Sequence, residues 1–535
     1  MRKIIFALLL ALPANYLIAQ TVLRTAEPFT DQESTNKILL LNSGYTFLLS
    51  YSEKNGAEVI IYNKDRKKIS NKAVKEGLWE PSKEDFVGFY EINGKPTLFV
   101  NQTIDKRLSL IRIVFDATSG EVLSEDKLAD LPKNKLRMLV IARPHGFRVV
   151  KDQFSDCYAI AKLDNQTTDK SKDYIEVIHY DGNNKEINRA FFNSEQYGSY
   201  QTALFLQVHG DKELYMGVQG FEGILKESKL LIGRLENGKK TFEIKLVNPA
   251  ISYKSVTVKT NQRSNDGIVE LLFDLQKGTN SGDHLEEHLK GAPSLLTCNM
   301  NDFSLSGFTA ISDKTIIDLS HKTNKKPFFT VPYGVAYNNN GKKMIFEEER
   351  SFNAGNSEMF NGVGSMMGNR GGSMMGNGGG SMMGNGGFSM MNNAGGYSRS
   401  LKELKDIAIL NLDEHNQVLG TFAISRFIYT DPLDDEETFF YLSTENNLYV
   451  LLNDQSVNEK STEGKPKEIR KSKLTNLACY KLDNTTLQNV FSNQDLPYMD
   501  ISSLNYNKSL KICAGVLIDD VDGTNKYKVG WMSLD

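Results

Sequence analysis

An all-β, propeller-like ring of seven or eight repeated antiparallel units is the fold this sequence predicts. Three observations predict it. One strand-and-turn unit keeps returning along the chain. Asn-Gly and Asp-Gly pairs punctuate short apolar runs rich in Val, Ile, Leu, Tyr and Phe. Helical stretches are too few for a doubly wound α/β fold, which needs one after nearly every strand.

The unit is an apolar strand, then Asp, Asn or Glu, then a turn. It reads EVIIYNKDRK at 58–67, IRIVFDATSGEV at 111–122, IEVIHYDGNNKEI at 175–187, LLIGRLENGKKTF at 230–242, LLTCNMNDFSL at 295–305, IAILNLDEHNQVL at 407–419 and LACYKLDNTTLQNV at 477–490. The turn acids Asp65, Asp116, Asp181, Glu236, Asp302, Asp413 and Asp483 lie 51 to 70 residues apart, save for one gap of 111. That gap contains an insert of about 45 residues. A last unit ends in KYKVGWMSLD at the C-terminus, and residues 21–24 are expected to pair with it and close the ring. Closure removes open sheet edges. Two consecutive smaller β domains are the alternative. Residues 133–142, 283–289 and 400–405 are the segments expected to be helical.

Residues 1–19 carry Arg2, Lys3, a short apolar run and Ala19, which read as a secretory signal peptide. The β domain then occupies 20–535, with no later stretch long and apolar enough to span a bilayer. The expected location is the periplasm, the cell surface or the medium. Net charge is -3, from 63 basic and 66 acidic residues, a balance that argues against nucleic acid as a partner. Cys157, Cys298, Cys479 and Cys513 lie far apart in apolar runs, with no CxxC, and read as buried small hydrophobes.

Residues 353–400 form a Gly/Met/Asn-rich insert, expected to be flexible because glycine at this density costs backbone entropy to order. Four repeats place Met pairs at Met366-Met367, Met374-Met375, Met382-Met383 and Met390-Met391. Three readings compete: a tolerated surface loop, an adaptable binding surface, and a soft-metal site for Cu(I) or silver, which thioethers prefer.

His284-Leu285-Glu286-Glu287-His288 formally fits H-x-x-E-H, with His284 and His288 one helical turn apart where both can reach a metal. The helix would be barely two turns, in a loop, with no third ligand downstream. A solvated loop helix is the plainer reading. No G-x-S-x-G, phosphate loop or dinucleotide fingerprint occurs. The run from Asp519 to Asn525 resembles part of a calcium loop, but Lys526-Tyr527-Lys528 stands where an acid is needed, so it reads as a hairpin turn. No cofactor is implied.

The chain broadly resembles β-propeller repeat proteins, without the WD dipeptide or the kelch glycines. What the sequence leads one to expect is an exported binding or scaffold protein of a bacterial cell envelope, with a protein or glycan held on its loop face. The alternatives are an extracytoplasmic hydrolase, metal- or carboxylate-dependent, and soft-metal binding by the insert.

Overall fold

The computed structural model describes residues 23–29, 34–75, 77–81, 86–132, 146–164, 175–193, 200–221, 228–247, 255–262, 268–276, 291–310, 330–353, 400–413, 415–426, 428–430, 438–454, 476–483, 485–491, 496–521 and 524–534. Among them there is no helix, and the strands fall into eight antiparallel sheets. Six are meanders of four strands in chain order; the sixth around the ring, spanning 330–430, carries one strand more, and the eighth takes its outermost strand from elsewhere in the chain. The innermost strands touch in a closed cycle: Thr35–Leu40, Phe86–Ile92, Gly146–Lys151, Tyr200–His209, Ser255–Gln262, Thr330–Asn338, Phe439–Ser443, Tyr498–Asn507, then Thr35–Leu40 again. This is an eight-bladed β-propeller.

The eighth blade draws on both ends of the chain. Its third strand, Thr524–Ser533, has no following turn. The outermost strand comes from the other end of the chain, with Leu23, Arg24 and Thr25 facing Met532, Trp531 and Gly530. The expected ring closure is therefore present.

Each recurring sequence unit is the third strand of a blade with the turn after it. That strand is buried on both sides, as Ile175–Tyr180 illustrates, because a blade packs between two neighbours. In six of the seven units the turn is fixed by a side-chain oxygen that accepts backbone N–H groups two to four residues on. Asp116 takes the amides of Thr118 at 3.0 Å and Ser119 at 2.7 Å. Asp181, Asp413 and Asp483 do the same. In the first blade the acceptor is Asn63, not Asp65. The Ser119 amide, with the hydroxyl and amide of Thr118, holds the Asp116 carboxyl down at about 2. These acids shape turns. At Asn93-Gly94 both residues are left-handed, as the tight hairpin there requires.

The core lies between blades, in a series of apolar clusters running around the ring. All four cysteines are buried in it and free. Burial pushes the Cys298 and Cys479 thiols up to about 12.

Residues 400–405, expected to be helical, are instead the start of the strand Ser400–Leu412. Leu401 and Leu404 sit at helical spacing, but Leu401, Lys402, Glu403 and Leu404 pair with Phe352, Ser351, Arg350 and Glu349 of the neighbouring strand. Tertiary pairing overrides local propensity here. The other two expected helices, 133–142 and 283–289, lie outside the described residues. The hairpin reading of 519–525 is borne out, since Val521 faces Thr524 in register.

Candidate functional site: the loop-bearing face

The two ends of the ring differ sharply. Connections from first to second strand and from third to fourth leave at one end, and they are short; the longest among them, such as 116–121 and 152–157, have six residues. Connections from second to third strand and from blade to blade leave at the other end. They include 133–145, 277–290, 311–329, 354–399 and 455–475. The Gly/Met/Asn-rich insert belongs to this end, between the second strand (Gly341–Asn353) and third strand (Ser400–Leu412) of the sixth blade. The two strands that flank it pair with each other in one blade.

At this end the innermost strands begin, and their first residues form the mouth of the central channel. Lys37 donates from Nζ to the Ser502 carbonyl at 3.1 Å and lies 5.1 Å from the centre of the Phe86 ring. A register slip between Asp500 and Asn505 bends the last inner strand here. One oxygen of Asp500 accepts the Ser502 amide at 3.0 Å and the Ser502 hydroxyl at 2.8 Å. Burial raises the Asp500 pKa, against the opposing pull of those bonds and of Lys37. Arg148, on the inner strand of the third blade, donates to the Leu204 carbonyl at 2.8 Å, and burial lowers its pKa. The mouth thus offers a cation over an aromatic face beside a half-shielded acid. Such groups hold a polar ligand. The Ser502 hydroxyl is engaged as a donor to Asp500, which does not make it a nucleophile.

A second, more peripheral feature opens toward the same end. A cleft of about 350 Å³ lies between the second and third blades, lined by Lys127, Leu128, Ala129, Asp130, Lys162, Glu176 and Arg189.

The residues singled out from sequence do not meet these features. His284, His288 and the four Met pairs from Met366-Met367 to Met390-Met391 all lie outside the described residues. Among the described residues, no group of three or more His, Cys, Asp or Glu could hold a metal ion. Nor is any described helix long and apolar enough to cross a membrane. Conversely, Lys37 and Asp500 were not legible. A lysine early in a strand is ordinary, and its partner stands at the opposite end of the chain.

No protein-family model matches the chain, and no curated protein does. Solved structures do. A prolyl endopeptidase aligns over 96% of this chain and 54% of its own, at 8% identity and a TM-score of 0.38. A polysaccharide lyase aligns over 87% and 93%, at 8% identity and 0.39. A post-proline cleaving enzyme from Rickettsia typhi aligns over 94% and 57%, at 9% identity and 0.37. The chain spans little more than half the length of the two peptidases. At these scores the likenesses carry no argument about function.

Proposed function

We propose that this protein is an exported binding or scaffold protein of a bacterial cell envelope, holding a protein or glycan partner on its loop-bearing face. The asymmetry of the ring carries the reading. Every long connection leaves from one end, while the opposite end is built of turns of six residues or fewer. Loops from successive blades converge on one surface, and a rigid ring beneath keeps them in fixed relation. The apolar residues at 4–19 behind Arg2 and Lys3 support export.

The test is crosslinking of the native protein in intact cells, with captured partners identified by mass spectrometry. Reproducible crosslinks from residues of the long connections to one envelope component support the role and name the partner. Crosslinks spread evenly over both faces, or none to a specific component, overturn it. Metal content and polymer-hydrolysis assays on wild type and His284→Ala then take precedence.

A further inference from the structure

The central channel has a second end, and one turn reaches across it. Residues 152–157 join the first and second strands of the third blade. At six residues this is the longest connection of its kind; the second blade makes the same step with Asn93-Gly94 alone. Phe154, near its middle, faces the Lys508 ammonium, with Nζ 5.4 Å from the ring centre. That is within the range of a cation–π contact. Lys508 stands in the turn between the first and second strands of the eighth blade. The third and eighth blades are not neighbours, because the first and second stand between them. On a ring of eight, a straight path between innermost turns three places apart runs over the channel.

The turn is firmly built. Asp152 is 1% exposed. Its Oδ1 accepts the Phe154 amide at 3.2 Å, and its Oδ2 accepts the Ser155 hydroxyl at 2.5 Å and the Gly210 amide of the fourth blade at 2.9 Å. A buried carboxylate needs such partners, and here they fix the backbone on both sides of Phe154. Lys151 Nζ donates to the carbonyls of Asp152 at 3.1 Å and Ser155 at 2.6 Å, and lies 3.4 Å from Asp156. Among the described residues, Phe154 belongs to none of the apolar clusters between blades. Core packing therefore does not account for a phenyl ring at this place.

The arc between the two contact points is joined blade to blade by polar groups. Asn507 of the eighth blade donates to Asn42 of the first at 3.0 Å. The Asn42 amide donates to Glu91 of the second at 2.8 Å. Burial raises the Glu91 pKa, the Asn42 amide opposes it, and Asp156 and Lys151 of the third blade add smaller pulls of opposite sign. A side chain within reach of both the first and the third blade sits at the inner edge of the second. Glu91 thus stands beside the base of the turn, at the rim of the channel.

We infer that residues 152–157 are a strap that closes the turn-bearing end of the central channel, with Phe154 as its cover and Lys508 as its latch. The channel is then a blind pocket, entered and left by the loop-bearing face. A polymer can offer it an end but cannot be threaded through it. The inference does not rest on the binding role proposed above. Its tests read geometry, so either can fail without the other.

The first experiment is photo-crosslinking of the full chain with p-benzoylphenylalanine in place of Phe154. Crosslinked peptides should contain residues 507–511 of the eighth blade. Attachment confined to the second and fourth blades, or no attachment, overturns the inference. The second experiment measures access to the channel rim. All four native cysteines are buried, so an introduced thiol is the reactive one. In Glu91→Cys that thiol should react slowly with a bulky polyethylene-glycol maleimide. Adding Phe154→Ala or Lys508→Gln should raise the rate about fivefold, the equivalent of one exposed cation–π contact. Adding Phe191→Ala, which trims a 42% exposed phenylalanine on the outermost strand of the same blade, should leave the rate unchanged. Equal rates with and without Phe154 and Lys508, or an equal rise with Phe191→Ala, overturn the strap.

Discussion

The seam that joins the eighth blade to the first and the seam that joins the second to the third face the same problem, packing one twisted sheet on another. At the closing seam, Ile38, Leu48, Ile60 and Tyr62 meet Ala514, Val516, Val529 and Trp531 in one dry cluster. Trp531 lies edge-on to Tyr62, ring centres 5.3 Å apart, and its indole N–H donates to the Thr46 hydroxyl at 2.8 Å. Two asparagines stitch the backbones: Asn507 donates to the Leu40 carbonyl at 2.9 Å, and Asn505 accepts the Leu40 amide at 3.0 Å. The other seam begins in the same way, with Phe99 against Tyr158 and Tyr158 stacked on Tyr180 at 5.0 Å. Then it changes. Arg112 bridges the Tyr158 hydroxyl and Asp126, both at 2.7 Å, and beyond it the charged cleft opens. The chain crosses the closing seam from Thr25 to Thr35, but the strand it leaves, Leu23–Thr25, is joined to the rest of the eighth blade by hydrogen bonds alone, so the ring relies on cohesion here. At the internal seam both blades are built from contiguous residues, and the apolar packing gives way to charge toward the loop-bearing end.

This contrast can be broken at its strong end first. Trp531→Ala should cost about 3–5 kcal/mol, the range for a large aromatic removed from a packed core. Urea denaturation measures it, and a loss under about 1 kcal/mol would mean that the closing seam is not a stability centre. Tyr158→Leu should cost less, about 1–3 kcal/mol, because it strips Arg112 of a buried partner while keeping the apolar contact. The same measurement, compared with Tyr62→Leu, shows whether the two seams differ as described.

A third seam, between the sixth and seventh blades, sharpens the comparison through pH. Lys343 is fully buried, and its ammonium donates to Asn338 at 2.9 Å and Asn411 at 3.3 Å. Burial pulls its pKa down to about 8. Above that value and below the ordinary lysine range, the unfolded chain carries a proton that the folded chain has released. Stability due to Lys343 therefore rises with pH across that interval, and the penalty is fully present below pH 8. Lys343→Met should flatten the rise. Urea midpoints at pH 7.5 and pH 10 for both proteins test it, and an equal change in the two would refute the assignment. The smallest effect is expected at the open rim. Arg107→Gln breaks a half-exposed pair and should cost less than about 1 kcal/mol, the usual worth of such pairs, by the same urea measurement.

What could be read in the sequence follows from what repeats. Third strands are buried on both sides and end in a tight turn, fixed in six blades by one side chain, so they return with the same pattern in seven blades. Outermost strands such as Lys68–Ala73 and Leu487–Asn489 are short or polar and carry no such signature. The pattern at 400–405 pointed to a helix because Leu401 and Leu404 fall at helical spacing. Only the neighbouring strand reveals the pairing. The candidate site was illegible for a different reason. Lys37 meets Ser502 from across the ring closure, and the cleft is lined by strands of two different blades. Nothing local marks either one.

The pairing of Leu23–Thr25 with Thr524–Ser533 also governs timing. Seven blades can form in order as the chain is synthesised, each from contiguous residues. The eighth must wait for its last ten residues and then recruit a strand made at the start. Until then Leu23–Thr25 has no partner and the first blade one uncovered flank. A nascent chain in that condition is the form most in need of protection from its neighbours.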